Sequence, residues 1–239
     1  MSQTITFMID GVEVQGTPGQ TILEAAERAR IYIPRLCHHK DLAPFGSCRV
    51  CTVLVNGRPQ AACTQPIAPG MVVQNNTEKV QRYRTNLIEM LFVEGNHFCM
   101  FCEKSGNCEL QALAYRFGIA APKYPYLWQQ RDVDASHPDI FIDRNRCILC
   151  ARCVRASRDL AGKNVFQFVG RGPHKRIAVN AEARLADTNA DVTDRAVDVC
   201  PVGAILKKRV GYAVPIGQRE YDHQPIGSDI EAGQAAASK

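Results

Sequence analysis

The sequence lacks any apolar run long enough to form a membrane-spanning helix, although 46% of its 239 residues are hydrophobic. The first ten residues also lack the basic start and the apolar stretch of an export signal. These two absences argue against an integral membrane protein and against a secreted one. We therefore expect a globular protein of the cytoplasm with no membrane partner.

Glycine-rich and nucleophile motifs of common enzyme sites are missing as well. No G-x-G-x-x-G follows a strand signal, and the sequence contains neither a Walker loop nor a G-x-S-x-G elbow. The segment Gly170-Arg171-Gly172 precedes Pro173 and lacks the third glycine. We therefore expect no nucleotide site, no flavin site and no catalytic residue in this chain.

Cysteine, by contrast, is abundant, and the 11 residues fall into three local groups. In a reducing compartment thiols stay reduced, and closely spaced pairs are typical of metal ligands or redox motifs. A disulfide scheme would leave one cysteine unpaired, whereas three metal sites use every cysteine if one histidine joins the group of three. The groups are Cys37, Cys48, Cys51 and Cys63; His97, Cys99, Cys102 and Cys108; and Cys147, Cys150, Cys153 and Cys200. This arrangement is typical of an electron carrier.

The third group has the most specific spacing. Cys147, Cys150 and Cys153 share one short loop, and Cys200 is followed by Pro201, as in the cluster motif of bacterial ferredoxins. Three thiolates on a curled loop can each face one corner of a 4Fe-4S cubane, and the distant thiolate closes the fourth corner. Because no second run of this kind exists, we expect Cys200 to bind the same cluster. A structural zinc site is the alternative, but such sites usually present cysteines as two separated pairs.

The first group has ten, two and eleven residues between its successive cysteines. Plant-type ferredoxins place four residues between the first two ligands, but a loop followed by a hairpin can still wrap a 2Fe-2S cluster. Zinc is again the alternative. His38 and His39 directly follow Cys37 and do not supply the paired Cys and His motifs of a Rieske site, so we interpret them as ordinary loop histidines.

The middle group has three cysteines and a nearby histidine. Its cysteines would hold a 3Fe-4S cluster alone, or a 4Fe-4S cluster with His97 on the fourth iron. Replacing a thiolate by a neutral imidazole makes a cluster less negative, which by charge alone raises its potential.

Positive charge is dispersed over the chain except around the third group. The net charge of +5 comes from 29 basic residues scattered among 24 acidic ones, so nucleic acid binding is not predicted. Several arginines lie near this group, and two interpretations of them stay open. They offset the negative charge of a metal cluster, or they form a solvated or partner-facing surface. These residues are Arg144, Arg146, Arg152, Arg155 and Arg158.

Alternating apolar residues and turn pairs predict several strands. Ile5 to Ile9 and Val12 to Val14 flank an Asp-Gly turn, and Val50 to Val55 returns through Gln60 to Ala62 after an Asn-Gly turn. Further strands are predicted at Ile140 to Ile142, Val165 to Val169 and Ile177 to Val179.

Helices are predicted by capping residues and by apolar periodicity. Thr21 and Glu24 form a capping box, and further helices are predicted over 77–94, 109–117 and 192–199. The apolar face of the second helix is predicted to consist of Val80, Tyr83, Leu87, Met90 and Leu91.

These elements predict an α+β fold in four segments. Residues 1–76 form an N-terminal β-grasp, 2Fe-2S ferredoxin-like domain. Residues 77–138 form a helical His/Cys 4Fe-4S segment with a linker helix and a proline-containing strap. Residues 139–210 form a bacterial-ferredoxin-like 4Fe-4S domain, and residues 211–239 form a C-terminal tail whose composition from Gly227 onward predicts a loose terminus.

The combined layout resembles the amino-terminal part of the large iron-sulfur subunit of respiratory complex I, of iron-only hydrogenases and of some formate dehydrogenases. Over nearly its whole length it resembles the small iron-sulfur subunits in the diaphorase part of cytoplasmic NAD-reducing nickel-iron hydrogenases. The segments Cys102-Glu-Lys-Ser-Gly-Asn-Cys108-Glu-Leu-Gln and Lys208-Arg-Val-Gly-Tyr-Ala-Val-Pro-Ile-Gly217 carry this resemblance. One difference is that a single residue separates His97 from Cys99, where complex I and iron-hydrogenase relatives have three.

The resemblance implies one 2Fe-2S cluster on the first group and a 4Fe-4S cluster on each of the other two. It implies that electrons pass between a flavin- and NAD-binding diaphorase subunit and the first cluster, then through the third and the second clusters to the hydrogenase small and large subunits. The chain would be a non-catalytic relay in a hydrogen:NAD⁺ oxidoreductase. The alternatives are the same relay in an NAD-dependent formate dehydrogenase and a zinc-stapled scaffold protein.

Overall fold

The computed structural model describes residues 4–232. The strands are β1 (Ile5–Ile9), β2 (Val12–Gly16), β3 (Thr52–Val55), β4 (Arg58–Ala61), β5 (Val72–Gln74), β6 (Val133–Asp134), β7 (Ile140–Asp143), β8 (Phe166–Val169), β9 (Arg176–Val179) and β10 (Ile205–Lys207). The helices are α1 (Ile22–Arg28), α2 (Glu78–Val93), α3 (Glu109–Arg116), α4 (Arg152–Arg155), α5 (Arg195–Asp198) and α6 (Ser228–Glu231). Within the described range no helix combines the length and the apolarity that crossing a membrane requires.

The amino-terminal unit is a mixed five-stranded sheet in the order β2-β1-β5-β3-β4, in which β1 and β5 run parallel. Both predicted hairpins form. Asp10 and Gly11 have φ values of 48° and 82°, and Asn56 and Gly57 have 48° and 81°, which are the left-handed values of type I′ turns. The capping box of α1 is confirmed, since Thr21 accepts from the Glu24 amide and Glu24 accepts from the Thr21 amide. This unit is the expected ferredoxin-like fold.

Helix α2 begins after Thr77, whose side chain accepts a hydrogen bond from the Val80 amide. The helix is confirmed, but its buried face differs from the predicted one. Met90 is 41% exposed, whereas Arg84 is 1% exposed. Apolar periodicity could not predict a buried arginine, because its burial depends on carbonyl oxygens that the amino-terminal unit supplies.

The third region contains the predicted strands and two differences. Strand β7 lies between β10 and β6, and β8 pairs with β9. Strand β10 was not predicted, and the helix expected over 192–199 is reduced to α5. The helix starts late because side-chain hydrogen bonds hold the preceding residues in a turn. The Asp194 carboxylate accepts from the Asp191 amide, and the Asp191 carboxylate accepts from the Thr193 amide.

The carboxyl-terminal segment is bound to the rest of the protein. Residues 217–232, here called the clasp, contain α6, and Glu231 pairs with Arg116 of α3. The prediction of a loose terminus is therefore wrong for residues 227–232, while residues 233–239 lie outside the described part. Composition failed here because one ion pair and a few backbone contacts are enough to order a polar segment.

Two hydrophobic cores lie side by side. One belongs to the amino-terminal sheet and α1 and includes Cys51 and Cys63. The other joins α2, α3 and the third region and includes Cys37, Cys108 and Cys150. The cysteines of the first and third groups therefore lie in the cores or pack against them, whereas Cys108 is the one cysteine of the second group in a core.

Candidate iron-sulfur sites

The loop of the third group curls because two of its residues have left-handed backbones. Leu149 has a φ of 53° and Ala151 a φ of 59°, values that side-chain-bearing residues adopt at a cost of about 1 kcal/mol or more each. The two reversals turn Cys147, Cys150 and Cys153 toward one point. The fourth thiol belongs to Cys200, which lies just after the end of α5.

All four thiols of the third group line one apolar cavity. The remaining wall consists mainly of aliphatic side chains. In this environment burial raises the pKa of the Cys147 thiol to about 11 and that of Cys150 to about 12. Anionic sulfur would be costly here unless metal ions neutralised it, so the cavity fits a positively charged iron core. The lining residues are Ile142, Arg144, Cys147, Ile148, Cys150, Ala151, Cys153, Ile177, Cys200, Val202, Ala204 and Ile205.

The thiols of the first group lie close enough to interact. The thiols of Cys48 and Cys63 hold the pKa of Cys37 far below its usual range, and that of Cys63 lowers the pKa of Cys51. The Cys37 amide also donates to the Cys48 sulfur over 3.4 Å. The structure therefore brings together all four cysteines that the sequence singles out.

The second group lies nearer the surface. Cys99 opens a short 3₁₀ turn, Cys102 follows that turn, and Cys108 is the N-cap residue of α3. Cys99 and Cys102 are half-buried, while Cys108 is buried. Burial raises the pKa of the Cys108 thiol to about 12. This group is the most accessible of the three.

His97 lies beside the second group, and the Cys99 sulfur contacts its carbonyl oxygen over 3.7 Å. Its Nε2 atom is buried and has no hydrogen-bond partner among residues 4–232. Burial, followed by the charge of Arg146, lowers the pKa of His97 to about 4, so the ring is neutral near pH 7. A buried imidazole nitrogen with a free lone pair fits a metal ligand.

Two residues at these sites carried no recognisable sequence signal. Gly203 packs so closely on the second group that an added Cβ would lie 2.6 Å from the Cys102 sulfur. Arg84 donates to the Thr52 carbonyl, next to Cys51. Only the tertiary structure brings these residues to the thiols.

The arginines around the third group divide into four that face inward and one that faces outward. Arg144, Arg152 and Arg155 are buried, and Arg146 is largely covered. Arg158 is exposed and pairs with its neighbour Asp159. The interpretation as a solvated surface therefore fits Arg158 and not the other four, for which charge compensation of a cluster stays a prediction.

Three of these arginines connect the third region with the other two groups. Arg155 donates to the Cys37 carbonyl. Arg146 contacts the Cys102 sulfur over 3.6 Å. Arg152 forms a bidentate pair with Glu109, the residue after Cys108. The third region is thus connected to both of the other groups.

The donor sets of the three groups consist mainly of cysteine thiols. A cluster needs soft thiolate donors spread around several metal atoms, and each group supplies them. The residues present therefore fit iron-sulfur clusters.

Three family descriptions match consecutive parts of the chain. Residues 2–78 match the 2Fe-2S iron-sulfur cluster binding domain. Residues 84–123 match the NADH-ubiquinone oxidoreductase-G iron-sulfur binding region. Residues 137–206 match the NADH-quinone oxidoreductase subunit 3, ferredoxin-like domain. Domains that bind 2Fe-2S and 4Fe-4S clusters are therefore present, and the α+β fold is confirmed.

Comparison with known proteins covers almost the whole chain. The gamma subunit of the NAD-reducing hydrogenase HoxS from Cupriavidus necator is 43% identical over 97% of this chain and 99% of its own length. The mitochondrial 78 kDa subunit of NADH-ubiquinone oxidoreductase from Candida albicans is 36% identical, and the chain spans 28% of it. A chain in the crystal structure of NAD⁺-reducing [NiFe]-hydrogenase in the H₂-reduced state matches with a TM-score of 0.91 at 49% identity, covering 93% of this chain and 95% of that one. The chain therefore belongs to the family of iron-sulfur subunits of NAD-reducing hydrogenases, which is related to the large iron-sulfur subunit of complex I.

Proposed function

We propose that this chain relays electrons through one 2Fe-2S and two 4Fe-4S clusters between a flavin- and NAD-binding partner and a nickel-iron hydrogenase module. The observation that carries the proposal is the apolar cavity lined by all four cysteines of the third group. The clusters supply one-electron chemistry when bound, and the protein positions and insulates them. We propose no catalytic residue in this chain.

The proposed ligands follow the three groups. The 2Fe-2S cluster is held by Cys37, Cys48, Cys51 and Cys63. One 4Fe-4S cluster is held by His97, Cys99, Cys102 and Cys108, and the other by Cys147, Cys150, Cys153 and Cys200. The corresponding domains are 1–76, 77–138 and 139–210, with 211–239 as the tail. We propose the cytoplasm as the compartment, because reducing conditions keep such thiols available for metal.

The order first group, third group, second group is supported by the connecting arginines. Arg155 joins the third region to the first group, and Arg146 and Arg152 join it to the second. The second group also lies beside exposed apolar side chains, with Phe98 59% and Met100 80% exposed. We propose that electrons enter or leave toward the hydrogenase module at this group and toward the flavin partner at the first.

A hydrogenase module is favoured over a formate dehydrogenase as the partner. The relative from Cupriavidus necator is matched over 99% of its length and is named as a subunit of an NAD-reducing hydrogenase. The proposed partners are therefore the flavin- and NAD-binding diaphorase subunit and the hydrogenase small and large subunits.

Anaerobic purification of the chain with its native partners tests this function. We expect iron and acid-labile sulfide in the amounts contained in one two-iron and two four-iron clusters, with paramagnetic resonance signals of each type after reduction. We expect nickel in the complex. A colourless preparation with zinc and no sulfide would support the scaffold alternative, and molybdenum or tungsten in place of nickel would support the formate dehydrogenase alternative.

A further inference from the structure

Arg155 lies where the first and third groups meet. It belongs to α4, two residues after Cys153, and its side chain is buried. Its guanidinium donates to the backbone carbonyls of Cys37, Ala43 and Ala151. One planar side chain thus ties the Cys37 loop to the loop that carries Cys150 and Cys153.

The charge of Arg155 has no carboxylate partner. Among residues 4–232, no Asp or Glu oxygen lies within 4.0 Å of its guanidinium, whereas Arg144, Arg146, Arg152 and Arg158 each have at least one such partner. Its hydrogen-bond acceptors are neutral carbonyls. The cysteines that would carry the negative charge acting most strongly on it, as deprotonated cluster ligands, are Cys150 and Cys37. A buried cation without a counterion is costly, so negative charge on both sides of it would be stabilised.

We propose that Arg155 is a positioning residue for electron transfer between the first and third clusters. Its hydrogen bonds fix the separation of the two ligand loops, and its charge favours the reduced state of both clusters. This inference rests on the proposed function, because it needs a cluster on each side.

Arg84 provides a comparison within the same chain. It is also a buried arginine without a carboxylate partner among the described residues, and it donates to the Thr52 and Asn75 carbonyls. The cysteine thiolate that acts on it is Cys51. Arg84 therefore acts on the first cluster alone, whereas Arg155 acts on two.

The test is a redox titration of the complete complex, followed by paramagnetic resonance, for the wild type, R155Q, R155K, R84Q and R158Q. We expect R155Q to lower the reduction potential of both clusters by about 59 mV. This corresponds to a tenfold shift of each one-electron equilibrium toward the oxidised form. R84Q should shift only the first cluster. R158Q, which removes an exposed charge from the same part of the chain, should shift neither.

The lysine variant separates charge from geometry. R155K retains the charge but lacks the planar fork that reaches three carbonyls. We expect its potentials to stay near those of the wild type, while the magnetic interaction between the two reduced clusters weakens and intercluster electron transfer slows. If R155Q does not retain its clusters, the magnetic interaction measured in R155K alone tests whether Arg155 positions the two clusters.

Three results would overturn the inference: unchanged potentials in R155Q, a shift confined to one cluster, or a wild-type magnetic interaction in R155K. A wild-type preparation without iron and sulfide would instead refute the proposed function. The two failures are therefore distinguishable.

Discussion

At the scale of single residues, His97 is the candidate ligand with the most distinctive chemistry. Its buried Nε2 lacks a partner in the described part of the chain. We expect His97→Cys to retain a four-iron cluster and to lower its potential, because a thiolate adds negative charge. We expect His97→Ala to yield a labile or three-iron cluster. Iron analysis and paramagnetic resonance of the complex measure both outcomes.

The alternative for His97 is a purely structural role in packing. Its ring lies edge-on to Phe92 at 5.5 Å between centroids, so removal of the ring also disturbs a contact. Phe92→Leu is a control that perturbs the same contact and retains the imidazole. If His97→Ala kept the wild-type spectrum and potential, His97 would not be a ligand.

Gly203 gives a second residue-scale prediction. A Cβ at this position would lie 2.6 Å from the Cys102 sulfur and 3.3 Å from Lys104 Cβ. We expect Gly203→Ala to displace Cys102 and to cost about 1–3 kcal/mol through overpacking. Resonance signals should show selective loss of the second cluster, with the other two as internal controls. Full retention of all three signals would contradict this prediction and would show that the backbone at Gly203 can move to accommodate a methyl group.

At the scale of elements, predictions succeeded where the signal was local. The two I′ turns and the Thr21 capping box depend on residues a few positions apart, and all three form. Strands β5 and β10 have three residues each, too few for a period, and are defined by pairing with distant strands. The buried face of α2 was partly mispredicted because Arg84 is satisfied by carbonyls from other elements.

Asp134 of β6 shows how one carboxylate holds separate elements together. It accepts hydrogen bonds from the Ser136 hydroxyl over 2.6 Å and from the Leu185 amide over 2.8 Å. Burial alone would raise its pKa, but these hydrogen bonds outweigh burial and hold the pKa of the Asp134 carboxyl below 3.8. The ionised form therefore stabilises the fold at pH values above this, and that stability is lost as pH falls through the lowered pKa.

We expect Asp134→Asn to destabilise the protein by about 1.5–3 kcal/mol, the range for hydrogen bonds to a charged group. The penalty should be equal at pH 7 and pH 5, because the wild-type carboxylate is ionised at both. Urea unfolding at the two pH values measures it. Asp132→Asn, at a neighbouring exposed position, is the matched control. A penalty that vanished at pH 5 would contradict the lowered pKa.

At the scale of the whole molecule, the clasp contacts both the amino-terminal unit and the second site. The Tyr221 amide donates to the Gly106 carbonyl, and the Glu220 amide donates to the Asn107 side chain. Gly227 packs against the ring of Tyr32 in the amino-terminal unit. The clasp thus covers the loop between Cys102 and Cys108.

We expect deletion of residues 217–239 to make the second cluster several-fold more sensitive to air and to iron chelators, because its ligand loop loses these contacts. The first and third clusters should respond as in the wild type. Time courses of the resonance signals after exposure measure the difference. Deletion of residues 233–239 alone removes none of the contacts named above and serves as the control. Equal sensitivity of the two deletions would contradict a protective role.

Candidate ligand groups could be proposed from sequence spacing, but their mutual arrangement could not. Cys147, Cys150 and Cys153 are close in sequence, so their convergence is a local property. The contact between Arg155 and Cys37 joins residues 118 positions apart, and no periodicity encodes it. The sequence therefore predicts the candidate ligands of each site, while the connections between the sites required the folded chain.

The cysteines of the third group are themselves part of the packed core, together with Leu110, Ile140 and Phe166. A cluster bound by these cysteines would lie within this core, so we expect folding and metal uptake to be coupled. We therefore expect a polypeptide translated while iron is scarce to lack a stable folded form. We expect such chains to be removed by proteolysis, so that iron supply governs how much of the protein accumulates.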